Sequence, residues 1–84
     1  MTRFWAKGKL IQVVSNELGE PKRFEWQRGT HHVEAIARQW RVDLDWWRIR
    51  VWRDYFKVVT NSGLLVVIYR DLLSEQWYLQ RLYD

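Results

Sequence analysis

Hydrophobic and polar residues alternate with a period of two along most of the chain, and turn-forming residues break the alternation at short intervals. Lys9–Ser15 (KLIQVVS) is β-branched and is followed by Asn16, Gly19 and Pro21, whose backbone preferences make a loop. Lys22–Gln27 (KRFEWQ) sets Phe24 and Trp26 on one face against Arg23, Glu25 and Gln27 on the other. Gly29 can then supply a positive φ to reverse the chain. These signals predict a strand, a loop, and a second strand entering a hairpin.

The spacing is ambiguous over His32–Val42, where Val33, Ile36, Ala37 and Trp40 fit either a short helix or a bent, bulged strand. The flanking hairpin signals favour the strand. Asp43–Asp45 reads as a polar turn, and Trp46–Arg53 then alternates clearly. Trp47, Ile49 and Val51 share one face, expected to point inward; Trp46, Arg48, Arg50 and Trp52 share the other. An unbroken phase would carry Arg53 and Lys57 onto the apolar face, so a bulge near Arg53 and Asp54 is expected to reset it and turn Phe56 and Val58 inward.

Asn61-Ser62-Gly63 is a strong hairpin signal before Leu64–Tyr69, a run apolar on both faces that predicts a strand covered on both sides. Leu73–Gln76 makes a last turn, and Trp77–Tyr83 alternates again. No segment is left for crossover helices. The expectation is therefore all-β: one domain over residues 1–84, a small antiparallel barrel or strongly curled sheet of about five or six strands.

Composition narrows the function classes. Of the 84 residues 48% are hydrophobic and 17% aromatic, enough apolar area for a packed core and too much for a disordered chain. Cysteine is absent, which removes disulfides, thiolate nucleophiles and cysteine-based zinc sites, and suits a reducing cytoplasm. The longest apolar run is far short of the roughly 20 residues of a membrane helix, so a soluble cytoplasmic protein is expected. Net charge is +4, with ten arginines to four lysines; residues 1–57 hold 12 basic against 7 acidic side chains and residues 58–84 hold 2 against 3. Anionic partners, if any, belong to the first two-thirds.

Candidate chemistry is sparse. His31 and His32 point to opposite faces of a strand and lack a third ligand, so no metal or other cofactor is expected. Asp43, Asp45, Asp54 and Asp71 read as surface acids, and Ser15, Ser62 and Ser74 lie in turns without a nucleophile elbow. An enzyme is not expected. Of the seven tryptophans, Trp26, Trp47 and Trp77 are expected in the core. The strip Trp46, Arg48, Arg50, Trp52, with Lys57 nearby, is the candidate site. It can be outer packing of guanidinium on indole, a single-stranded nucleic-acid surface, or a protein-docking face. The doubly apolar run Leu64–Tyr69 also admits a homo-oligomer.

Several short motifs together resemble a bacterial domain family of unknown function, found as small stand-alone proteins and at the C-terminus of ImuB-type relatives of Y-family DNA polymerases. They are Pro21 with Phe24-Glu25-Trp26, Trp40-Arg41 with Trp46-Trp47, Arg53-Asp54-Tyr55-Phe56, Gly63-Leu64-Leu65 with Ile68-Tyr69-Arg70-Asp71, and Trp77 through Asp84. The resemblance implies a non-enzymatic interaction module, in a setting of DNA repair or damage tolerance for the fused members.

Overall fold

The period-two pattern resolves into six antiparallel strands closed into a barrel in a computed structural model that describes residues 2–83. They are β1 (Arg3–Ser15), β2 (Pro21–Trp26), β3 (Gly29–Trp46), β4 (Ile49–Thr60), β5 (Leu65–Asp71) and β6 (Gln76–Tyr83), with no helix among the described residues. The expected all-β barrel is what forms, and among the described residues no helix is long and apolar enough to cross a membrane.

Two long strands close the ring by each serving two neighbours. The first part of β1 pairs with β6 and its Gln12–Ser15 end with β2; β3 pairs with β2 through Gly29 to His32 and with β4 from Val33 to Trp46. The ambiguous stretch His32–Val42 is strand, and it bends at two register shifts, between Val33 and Ala35 and between Ile36 and Arg38. Extra residues there raise the local twist and let β3 leave one partner for the other. On β1 a shift falls between Phe4 and Lys9, at Gly8, whose φ is +77°. A Cβ at Gly8 would stand 2.7 Å from the Tyr78 Cβ, so only glycine lets the two strands meet.

The barrel interior holds Ile11, Phe24, Phe56, Val58, Val66, Ile68, Trp77, Leu79 and Leu82. Of the expected core tryptophans, Trp77 is inside, and Trp26 packs half-buried at the rim, edge-on to Trp5 at 5.3 Å. Trp47 is not in the core: it is 84% exposed. Phe56 and Val58 do point inward.

Leu64–Tyr69 is covered on both sides by the chain itself. Val66 and Ile68 face the interior, while Val67 and Tyr69 lie under an outer cluster with Tyr55, Trp40, Val42, Tyr78 and Tyr83. Trp40, Tyr55, Tyr69 and Tyr78 are successive cross-strand partners on β3, β4, β5 and β6. Their ring centroids are 5.2, 5.1 and 5.1 Å apart, close to the spacing of neighbouring strands, so the rings stand upright and stack in one row across the barrel wall. The Tyr69 hydroxyl donates to the Lys7 carbonyl at 2.9 Å, beside the Gly8 bulge.

Three local expectations are corrected. Asp43–Asp45 is not a turn but the end of β3, and the chain reverses at Trp47-Arg48, since Trp46 pairs with Ile49. No bulge interrupts β4 at Arg53 and Asp54; the register runs unbroken through these residues against both neighbours. Gly29 begins β3, and the β2–β3 reversal takes its positive φ from Gln27 and Arg28.

Candidate functional site

β3 and β4 are longer than the barrel needs. β2 leaves β3 at His32, and β5 begins to pair with β4 only at Arg53, so Asp43–Trp52 forms a two-stranded arm that stands clear of the wall. Its tip is a two-residue turn in which Trp47 has φ +56° and Arg48 does not. A turn of that type ordinarily has glycine at its first position. An indole held there costs about 1 to 3 kcal/mol of backbone strain, a cost characteristic of functional positions.

The tip also reassigns the faces. Directly opposed residues of an antiparallel pair share a face, so Trp46 goes with its partner Ile49, and Leu44 with Val51. Leu44, Trp46, Ile49 and Val51 thus form one apolar face that continues through Val42 to Trp40 and Tyr55. The opposite face carries Asp43, Asp45, Arg50 and Trp52, and then Arg41 and Asp54. The expectation that Trp47, Ile49 and Val51 point inward is therefore overturned. Phe56 and Val58 define the inward direction on β4, and Ile49, Val51, Arg53, Tyr55 and Lys57 all have the other parity.

Of the candidate strip, Trp46 is 65% exposed on the apolar face and Arg48 lies in the turn. Arg50 and Trp52 lie on the charged face, with the Arg50 guanidinium 5.4 Å from the Trp52 ring centroid. Lys57 is on the barrel wall, away from all four. The strip is thus not one line. Alternation alone implies a single strand across Trp46–Arg53, and the turn at Trp47-Arg48 puts Trp46 on the other side.

Electrostatics separate the two faces further. Arg50 is bracketed by Asp43 at 3.2 Å and Asp45 at 3.4 Å. Arg41 makes a two-pronged pair with Asp54, at 2.6 and 3.1 Å, which raises the Arg41 pKa above its ordinary value. The arm's charges largely cancel. What is left open is hydrophobic: Leu44 is 50% exposed and Ile49 55%, and Trp46 meets Trp47 edge-on at 6.3 Å. Trp46, Trp47, Arg48 and Ile49 line a groove of about 240 Å³ at the tip.

No family model, curated protein or solved structure matches this chain.

Trp47, Ile49 and Leu44 are the tip residues that sequence reasoning assigned elsewhere or passed over. A usable signal was present. Trp46 and Trp47 are adjacent and cannot both face a core from one strand, and the acids before them mirror the arginines after them, as the two legs of a hairpin do. His31, by contrast, is engaged locally, its Nδ1 2.8 Å from the Ser62 Oγ, and no cluster of metal-ligating side chains occurs among the described residues.

Proposed function

We propose that this protein is a non-enzymatic interaction module that docks on a protein partner through the arm of β3 and β4. The observation that carries this reading is the tip. Four large apolar side chains, Leu44, Trp46, Trp47 and Ile49, stand half-exposed or more on a projecting element on which Arg50 is paired with Asp43 and Asp45. Isolated apolar residues are normal on a surface, but a contiguous group at the end of an arm exposes area that a monomer has reason to hide. Tryptophan beside arginine is also the composition of interface hot spots. A partner with an apolar groove fits the tip, with Trp47 as the leading anchor and Arg48 reaching the groove's polar rim. The resemblance to the ImuB-associated family names DNA repair proteins as the first partners to try.

A photo-crosslinking residue placed at position 48 tests this in cells. A partner captured this way should bind the purified protein and lose at least tenfold in affinity with Trp46→Ala plus Trp47→Ala, about 1.4 kcal/mol or more. The melting temperature should stay level. Undiminished binding by that double variant would remove the arm from the interface.

A single-stranded nucleic-acid surface on the original strip is the weaker reading. Arg50 is already neutralised by two carboxylates, and Lys57 lies elsewhere.

A further inference from the structure

On the barrel wall, basic side chains stand together without the carboxylates that bracket Arg50 on the arm. Arg38 on β3, Lys57 on β4 and Arg81 on β6 fall in one cross-strand row, Arg38 opposite Lys57, Lys57 opposite Val67, and Val67 opposite Arg81. With Trp40, Val67, Gln80 and Tyr83 they line an open cleft of about 270 Å³ that contains no carboxylate. Among the described residues, no acidic group lies within ion-pair distance of any of the three. Like charges directly opposite one another destabilise a sheet, and Arg38 and Lys57 are such a pair. Further along the same strand pair the facing position is acidic: Arg41 opposes Asp54, and Arg50 opposes Asp45.

Aromatic rings border the same row. Lys57 Nζ is 5.0 Å and the Arg81 guanidinium 5.6 Å from the Tyr83 ring centroid. Trp40 ends the stacked row: one face lies on Tyr55, nearly parallel at 7°, and the Arg38 guanidinium is 4.9 Å from its centroid. No guanidinium fits between two stacked rings, so Arg38 covers the face of Trp40 turned away from Tyr55.

We infer that this row is a second binding site, for single-stranded nucleic acid, independent of the docking arm. From β3 to β6 the row spans three strand spacings, about 14 Å, more than one phosphate ion can bridge and suited to consecutive phosphates of an extended chain. Arg38, Lys57 and Arg81 take the phosphates. When Arg38 swings to a phosphate it uncovers Trp40, and a base stacks on the freed indole face. The wall thereby combines a cationic track with a stacking platform at its edge.

Fluorescence anisotropy of a labelled oligothymidine against the 84-residue chain tests this at about 50 mM and about 200 mM salt. Expected are binding that weakens steeply with salt, and a loss of at least tenfold in affinity for Arg38→Gln plus Lys57→Gln. The salt slope of that variant should be shallower by about 1.4, from two phosphate contacts at about 0.7 each. Arg38→Lys plus Lys57→Arg should keep most of the affinity, which controls for disturbed packing. Trp46→Ala plus Trp47→Ala should bind the oligonucleotide as the parent does, so the two sites fail separately. No binding by the parent at the lower salt overturns the site. So does equal binding by the glutamine variant, or full competition by inorganic phosphate at matched ionic strength, which would reduce it to an ion site.

Discussion

The barrel wall and the arm are built from the same two strands, yet their alternations mean opposite things. In β4, the segment from Tyr55 to Thr60 is buried or half-buried on both faces, with Phe56 and Val58 in the interior and Tyr55 in the outer stack. Only a few residues earlier, Ile49 is 55% exposed on a strand with equal β character. The difference is the neighbours. Within the wall β4 lies between β3 and β5 with a packed layer beneath; in the arm it has β3 alone and no layer. Apolar area removed from water is worth about 25 cal/mol per Å², so the same residue types stabilise the wall and contribute almost nothing at the tip.

Substitutions sharpen this contrast. Phe56→Ala should cost the most, about 3 to 5 kcal/mol in denaturant unfolding, because it empties a site that is 2% exposed and packed on Trp77. Gly8→Ala should follow at about 2 to 4 kcal/mol, since alanine meets both a left-handed backbone and the Tyr78 and Tyr69 side chains. A loss near zero would show that the β1–β6 bulge can relax.

Tyr69→Phe removes the hydroxyl donated to the Lys7 carbonyl and should cost about 0.5 to 1.5 kcal/mol at neutral pH. Burial also pushes the Tyr69 pKa up from its ordinary value. Because the folded hydroxyl keeps its proton to higher pH than the unfolded one, its contribution is complete below about pH 10 and is lost as pH climbs through the folded value. Unfolding free energy should thus fall on the alkaline side for the parent and fall less for Tyr69→Phe. Equal alkaline limbs would exclude Tyr69 as the cause.

The smallest effect should be at the tip. Trp47→Ala is expected to stay within about 0.5 kcal/mol of the parent, and Trp47→Gly to match or exceed it, since glycine relieves the strained turn. A loss above about 2 kcal/mol for either would mean that the arm folds back onto the barrel, and the contrast between arm and wall would collapse.

The strand content was legible because alternation and turn chemistry are local properties: Trp77 could be assigned to the core from residues within a few positions, whereas Phe56 and Val58 face inward on an unbroken phase and not through the expected bulge. The doubly covered character of Leu64–Tyr69 was legible too, from a run with no polar face. The candidate site was legible only as composition, tryptophan next to arginine around positions 46–52. Its geometry was not, because Trp47-Arg48 carries none of the usual two-residue turn signals and the acids at 43 and 45 imitate a loop.

By itself the sequence determined an all-β chain of alternating strands with an aromatic core, since each side chain's face follows from the pleat once a strand is drawn. Only the tertiary structure decided where strands pair and where pairing ends. That placed Trp47 in solvent rather than in the core, bound Arg50 to Asp43 and Asp45, stacked Trp40 on Tyr55, and aligned Arg38, Lys57 and Arg81 in one row. The physical reason is that period two tells which residues share a side, while whether that side is covered depends on strands many residues away.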